Sequence, residues 1–494
     1  KPMELPIQFF LDFAWDTKKW NAGNIAGYTR EWAEQIFGKQ YASEIAGILS
    51  AYTKYNSRRK PELLAPDTYS LINYREAETI ETEYSRLAQK AESIYRKIPA
   101  AYRDAYYQLV LYPVKACANL NKLYVTSGKN RLYAEQGRAS ANDEGDNVKK
   151  YFKADSLLSK YYNTVMSRGK WDHMMDQTHI GYTYWQQPEK NVRPEIKYIQ
   201  LSDVAEPGLA IEGAEAWWPR ETAEAVLPEF NSLLNQSHYF ELFNRGVKPF
   251  TFSILSPVPW IKISGQNGIV KKQERLWVQV NWKTAPAGIH KFPIIISVTG
   301  KQPLAVFVVV KNYKSSKETQ FKGFVETNGY VSMEAAHYSL AVSQPSTGWM
   351  LIPDIGRTGS GMTTKPVTAA RQNPGPQTPR LEYDLLVFDT GKIQVQTYFS
   401  PTLNFNGSEL QYAISIDDEK PQILNLHADQ SRHSWEQWVA NNVITDTAEF
   451  DIRKPGAHTM KYWMIDPGII LQKIVIGLSR VNPSYLGPPE TRVR

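Results

Sequence analysis

Leu276-Trp277-Val278-Gln279-Val280-Asn281-Trp282 decides how the second half of the chain folds. Leu276, Val278, Val280 and Trp282 alternate with Trp277, Gln279 and Asn281, and a period of two belongs to a strand with one buried face. The Trp282 ring is expected to face the core with Val278 and Val280. Further strands are expected at 292–298 and 304–310, together forming a small sandwich that ends near Lys317, with Ser315-Ser316-Lys317 as linker. A second β region begins at Phe321, with strands near 330–334, 381–387, 393–399, 411–416, 458–464 and 469–476. The last two are joined through Asp466-Pro467-Gly468, a turn sequence. The Gly-, Pro- and Thr-rich stretch 353–380 reads as one long loop, of a length that is usually functional or mobile. No internal repeat recurs at a fixed period.

Upstream of about residue 195 the period changes. Ile80, Tyr84, Leu87, Ala91 and Ile94 recur at three-and-four spacing, which lays one apolar stripe along a helix. The stretches 28–37, 41–52, 102–124 and 151–165 read similarly, with Pro113 expected to kink or divide 102–124. A helical bundle is the expected product. Before it, Ile7-Gln-Phe-Phe-Leu-Asp-Phe-Ala-Trp15 is densely apolar with no partner strand nearby, and reads as the end of a sheet whose remainder lies upstream. The opening Lys1-Pro2-Met3-Glu4, with neither initiator methionine nor leader, fits a processed or excised piece.

Composition narrows the function classes. At 494 residues the chain should hold several domains, and a hydrophobic fraction of 42% supplies real cores. The longest apolar runs, such as 304–310, fall far short of the roughly 18 residues of a membrane helix. The single Cys117 cannot form an internal disulfide, and eight scattered histidines leave no Cys/His zinc spacing. The 57 basic and 50 acidic residues are interleaved, with only short runs such as Arg58-Arg59-Lys60, so the basic stripe of a nucleic-acid binder is missing. Aromatics are in excess, with 29 tyrosines and 14 tryptophans; such rings stack on sugars as well as filling cores.

The candidate chemistry is sparse. Gly356-Arg-Thr-Gly-Ser-Gly361 lacks both the strand-to-helix frame and the closing Gly-Lys-Ser/Thr of a phosphate loop. There is no Gly-x-Ser-x-Gly elbow, and Cys117 lies in an apolar helix pattern, so covalent acyl transfer is unsupported. In Trp171-Asp-His-Met-Met-Asp-Gln-Thr-His179, a helix would place Asp172 and Asp176 on a face with His179, for metal or acid–base chemistry or simply as helix-end cross-links. Gly181-Tyr-Thr-Tyr-Trp185 downstream fits an interdomain seam. Glu212-Gly-Ala-Glu215-Ala-Trp217-Trp218 pairs carboxylates with tryptophans, the composition either of a sugar site or of a wedge at a domain interface. Trp260, behind Pro257 and Pro259 in an apparent loop, is the leading carbohydrate platform, with Trp217 and Trp218 next. Asp12 and Asp16 beside Trp15 are the only other carboxylate pair considered for acid–base work.

Several blocks resemble the C-terminal portion of glycoside hydrolase family 115, the xylan α-glucuronidases. They are Phe9-Phe-Leu-Asp-Phe-Ala-Trp, Tyr52-Thr-Lys-Tyr-Asn, Arg58-Arg-Lys-Pro-Glu-Leu-Leu, Tyr107-Gln-Leu-Val-Leu-Tyr-Pro-Val-Lys-Ala-Cys-Ala-Asn-Leu and Asn130-Arg-Leu-Tyr-Ala-Glu-Gln-Gly-Arg. Gly169-Lys-Trp-Asp-His-Met-Met-Asp-Gln-Thr-His-Ile-Gly-Tyr-Thr-Tyr-Trp, His458-Thr-Met-Lys-Tyr-Trp-Met-Ile-Asp-Pro-Gly and Pro483-Ser-Tyr-Leu-Gly-Pro-Pro continue the resemblance. It implies a multidomain α-then-β chain: 1–20 as the tail of an upstream catalytic barrel, 21–194 as a helical bundle, 195–318 as an Ig-like β-sandwich, and 319–494 as a jelly-roll-like sandwich similar to carbohydrate-binding modules of families 6 and 35. The implied activity is inverting removal of (4-O-methyl-)glucuronic acid from xylan, which needs an acid and a base roughly 6.5–9.5 Å apart. The family's catalytic carboxylates lie upstream, so no position here receives a catalytic role. The implied partners are xylan or glucuronoxylan oligosaccharides, the N-terminal catalytic half and, in a dimer, a second copy; no nucleic acid and no cofactor is expected. The implied location is secreted or periplasmic. The binding modules commonly ligate calcium through Glu-x-Glu near the first strand, whereas Glu334-Ala-Ala336 keeps only the first carboxylate, so no metal is expected. The alternative reading is a stand-alone, non-catalytic carbohydrate-binding or scaffold protein.

Overall fold

Helices account for the first unit of the computed structural model, which describes residues 3–21, 23–183, 186–256, 258–314, 316–405, 407, 409–479 and 481–493. The unit comprises Lys1–Leu71, Arg75–Asn130 and Asp143–Lys197. Its helices are α1 (Glu4–Trp15), α2 (Ile25–Phe37), α3 (Ala42–Ser57), α4 (Glu76–Lys97), α5 (Ala100–Tyr106), α6 (Tyr112–Glu135) and α7 (Ala141–Thr164). The stripe expected on α4 is the one that is buried: Ile80, Tyr84, Leu87, Ala91 and Ile94 all lie inside. It packs with α3, whose Ile45, Ile48, Leu49 and Tyr52 are buried in turn.

One expectation changes here and another holds. The segment 7–15 is a helix rather than the end of a sheet; an apolar run without alternation does not separate the two, and Phe9 and Phe13, four apart, stack at 5.7 Å as helix neighbours. The stretch 102–124 is divided just before Pro113, as expected. Residues Tyr107–Leu111 form a π-helical turn immediately before it, and the wider turn admits a residue with no N–H to give and a ring that crowds the preceding carbonyls.

The second unit comprises Ile72–Tyr74, Arg131–Asn142 and Tyr198–Arg494 and holds two sandwiches, antiparallel except where Ala225–Val226 and Phe230–Asn231 join Leu304–Asn312 and Phe324–Val325 joins Arg380–Val387. The first has strands β1 (Pro207–Ile211), β2 (Ala225–Val226), β3 (Phe230–Asn231), β4 (Ser237–Asn244), β5 (Phe250–Leu255), β6 (Ile261–Ile263), β7 (Asn267–Val270), β8 (Gln273–Val280), β9 (Gly288–Val298) and β10 (Leu304–Asn312). One sheet runs β1-β4-β8-β6 and the other β2-β10-β9-β5-β7, with β3 added on β10. On β8, Leu276, Val278 and Val280 face the core as the alternation requires, and Trp282 packs against the same core.

The second sandwich has β11 (Phe324–Val325), β12 (Tyr330–Glu334), β13 (Leu340–Val342), β14 (Gly348–Ile352), β15 (Gly361–Lys365), β16 (Arg380–Val387), β17 (Gly391–Phe399), β18 (Gln411–Ile416), β19 (Gln422–Asn425), β20 (Ile444–Ile452), β21 (Gly456–Met464) and β22 (Leu471–Gly477). Its sheets run β11-β16-β21-β18-β19 and β14-β15-β22-β17-β20. The stretch 353–380 is not all loop: β15 lies within it, paired with β14 and touching β22. In the turn 466–468, Gly468 takes φ +84°, a conformation that favours glycine.

The sandwiches meet along a polar seam. The Glu229 backbone N–H donates to Asn328 Oδ1 at 2.8 Å and the Asn328 N–H returns to Glu229 Oε1 at 2.8 Å. Asn231 Nδ2 donates to the Glu326 carbonyl, and Tyr313 stacks on Phe388 with centroids 4.2 Å apart. Ser315 of the expected linker, Pro257 and Trp185 lie outside the described residues.

Candidate functional site

Within the helical unit, α3, the π turn, α6, α7 and the segment after α7 enclose a cleft of about 510 Å3. Val148, Asp155 and Tyr162 recur seven apart on α7 and are all buried, so the helix carries a carboxylate on the stripe that otherwise holds its core residues. That carboxylate is answered by His179, whose Nε2 lies 3.0 Å from both Asp155 oxygens. His179 Nδ1 lies 2.9 Å from the Gln177 carbonyl, which only accepts, so Nδ1 carries a proton and the carboxylate favours a second on Nε2. Burial works against the imidazolium, but the Asp155 hydrogen bond and charge outweigh it and hold His179 above its ordinary value.

Tyrosines form a wall of the cleft. Tyr112 and Tyr162 have centroids 4.7 Å apart, tilted by 57°. Burial first, and the nearby Asp155 charge, push the Tyr112 phenol up to about 12 despite a hydrogen bond with Ser159, so it stays a neutral hydroxyl. Gln108 from the π turn and Asn56 from α3 add half-buried amides. The Cys117 thiol donates to Asn56 Oδ1 at 3.4 Å, which makes it a partnered interior group.

The expected Asp172, Asp176 and His179 face does not form, because residues 170–175 are turns, not helix. Asp176 instead accepts from Asn163 Nδ2 at 2.6 Å and contacts the exposed His173 ring at 2.6 Å, while His179 turns to Asp155. Asp12 accepts from the Tyr28 hydroxyl at 2.7 Å, and Asp16 caps the Lys18 N–H at 3.0 Å. These two carboxylates have separate structural partners.

The second unit corrects the tryptophan expectation. Trp260 is only 6% exposed and belongs to the first sandwich's core, edge-on to Phe292 at 5.5 Å. Its carbonyl accepts from the Asn281 N–H at 2.8 Å, so the loop folds back over the sandwich end instead of projecting. Trp218 lies in that core too, and Trp217 is buried against Ala210 and Phe243 beneath the Arg245 guanidinium. None of the three offers an open face to a sugar. Their companions diverge: Glu212 is buried against His238 Nδ1 at 3.0 Å, while Glu215 is exposed.

A buried ionic cluster lies on the same sandwich. Glu241 on β4 accepts from Arg138 at 2.6 Å and from Arg275 at 2.8 Å. Burial alone would raise its carboxyl, but the two guanidinium groups outweigh burial and hold it below the ordinary range.

In the second sandwich, Glu334 has a cationic partner within the chain. Its Oε1 lies 3.2 Å from Lys473 Nζ, which also reaches the Pro488 carbonyl at 3.1 Å, so an ammonium stands beside the carboxylate. A hard divalent cation needs six to eight oxygens, and the second position of the expected pair is Ala336. Among the described residues no group of three or more His, Cys, Asp or Glu side chains is placed to hold a metal. Arg357, in the rejected glycine-rich loop, donates to the Asn441 and Tyr485 carbonyls and leads into β15, a strand.

Sequence reading missed Asp155 and Lys473. The seven-residue recurrence on α7 was the available signal for the first; Lys473 sits inside a fully buried strand, where a lysine requires a partner.

Comparison with known proteins gives the class. Residues 323–490 match the model of the glycosyl hydrolase family 115 C-terminal domain, and residues 1–63 match the model of glycosyl hydrolase family 115. Among solved structures, the family GH115 4-O-methyl-α-glucuronidase BtGH115A, which has specificity for decorated arabinogalactans, aligns over 98% of this chain and 45% of its own, with 15% identity and a TM-score of 0.54. A family 35 carbohydrate-binding module from Clostridium thermocellum aligns over 30% of this chain and 97% of its own, with 14% identity and a TM-score of 0.21. The C-terminal family 6 module of LamC, a laminarinase from Zobellia galactanivorans, aligns over 30% and 98%, with 12% identity and a TM-score of 0.21. No curated protein matches the sequence. These findings place family 115 matches at both ends of a chain built from helices followed by β-sandwiches. The chain matches glycosyl hydrolase family 115 models over 1–63 and 323–490 and spans less than half the length of the solved member it resembles. No described helix is long and apolar enough to cross a membrane.

Proposed function

We propose that this chain is the C-terminal accessory portion of an inverting α-1,2-glucuronidase that removes (4-O-methyl-)glucuronic acid side chains from xylan. The observation that carries the reading is the pair of family matches at the two ends of the chain. In this reading the helical unit and the sandwiches brace and extend a catalytic half that supplies the acid and the base, and the carboxylates of Asp12, Asp16, Asp155, Glu212 and Glu241 serve the structure of this chain. That half and glucuronoxylan are its partners, a second copy joins in a dimer, and the enzyme works outside the cytoplasm.

The solved relative's specificity for decorated arabinogalactans favours a second reading of the substrate, in which the same side chain is removed from an arabinogalactan. The test is release of (4-O-methyl-)glucuronic acid from glucuronoxylan and from decorated arabinogalactan, by the chain alone and by the protein purified from its source. The expected result is no release by the chain alone and release by the source protein. Turnover by the chain alone that is lost in Asp12→Asn would replace the reading with a catalytic one.

A further inference from the structure

The cleft of the helical unit has a size, a wall and a charge pattern of its own. Its volume of about 510 Å3 falls in the range of roughly 300–1,000 Å3 common to small-molecule sites. It combines aromatic surface from the half-buried Tyr112, backed by the buried Tyr162, with the amides of Asn56 and Gln108. This mixture suits a ring with one C–H-rich face and a rim of hydroxyls.

The charges select among such rings. Glu4, Glu62 and Asp155 line the cleft, and among its described lining residues there is neither lysine nor arginine. The one cationic group is His179, and Asp155 takes both its Nε2 contacts. A ligand bearing a carboxylate would therefore meet like charge with no guanidinium or ammonium to receive it.

We propose that this cleft binds a neutral pyranose unit of a glycan chain and discriminates against the corresponding uronic acid. The proposal rests on reading the chain as part of a carbohydrate-active enzyme, and it assigns to the helical unit the undecorated sugar residues of the substrate rather than the side chain that is released. The His179–Asp155 pair is a positioning element: it fixes the segment carrying His179 against α7 and neutralises the buried carboxylate.

The test is calorimetric and NMR titration of the full chain at pH 7 with xylotriose, with galactotriose and with glucuronic acid. Saturable binding of one neutral trisaccharide is expected, with glucuronic acid weaker by about tenfold or more, which corresponds to about 1.4 kcal/mol. Gln108→Ala and Asn56→Ala should each weaken that binding severalfold while leaving thermal unfolding unchanged. Glucuronic acid binding as tightly as the neutral sugars overturns the proposal, as does neutral-sugar binding indifferent to both variants, or no saturable binding of either trisaccharide. Because these titrations read no turnover, their failure leaves the source protein's release of glucuronic acid as a separate result.

Discussion

Glu326 offers a quantitative test of the seam between the two sandwiches. It is 2% exposed, and its Oε2 accepts the backbone N–H groups of Phe388 at 2.6 Å and Asp389 at 2.9 Å. Burial is the largest influence on its carboxyl and raises it; the two N–H groups pull it back, and the neighbouring Asp389 carboxylate pushes it up again, so it rises from 4.5 to about 7. The folded protein therefore holds this proton more tightly than the unfolded chain. Its contribution to stability is complete below pH 4.5 and is lost as the pH rises through about 7. The interval corresponds to about 3 kcal/mol. Glu326→Gln imitates the protonated acid and keeps a carbonyl oxygen for the two N–H groups. Denaturant unfolding followed by tryptophan fluorescence at pH 5 and pH 8 should show the variant gaining on the parent chain by about 3 kcal/mol between the two. Asp389→Asn, which removes the like charge, should shrink the parent's own decline. If parent and Glu326→Gln keep a constant difference from pH 5 to pH 8, the account of a carboxyl raised by burial at this seam is wrong.

Other expectations are as direct. Trp260→Ala should cost about 3–5 kcal/mol in unfolding, as expected for a core ring, with Trp260→Phe costing less; an unchanged midpoint together with lost sugar binding would restore Trp260 as a platform. Arg138→Met leaves Glu241 with Arg275 alone and should destabilise by about 3–5 kcal/mol, read as a lower denaturant midpoint. His179 should titrate above its ordinary value by NMR, and Asp155→Asn should bring it down. Since the folded value is raised, the stability from this pair is present below about pH 6.5 and lost as the pH rises through the folded value; titration at or below the ordinary value in the parent refutes the imidazolium assignment.

How much was legible depended on whether a side chain answers to its own element or to a distant one. The α4 stripe and the β8 alternation were readable because each is a local period with one buried face. Strands β12 and β18 fall on the expected residues although both of their faces are buried. The segment of α1 was misread because an apolar run interrupted only by Gln8 and Asp12 carries too little pattern to separate helix from strand. Trp260 was misread for another reason: two prolines hold a loop extended, but whether that loop projects or folds over the sandwich end is decided by Phe292 and Asn281, both remote in sequence. The pairing of Asp155 with His179 spans 24 residues, and no spacing rule joins them once the chain leaves α7 and turns over 170–175.

The ammonium of Lys473 beside Glu334 has a consequence for how the last sandwich is made. A module that recruits its counter-charge from solution matures only where that ion is plentiful, and its folding yield follows the medium. Here the positive charge is translated with the chain, on the same strand that completes the sheet. The charge that answers Glu334 is thereby made in one-to-one ratio with the carboxylate itself.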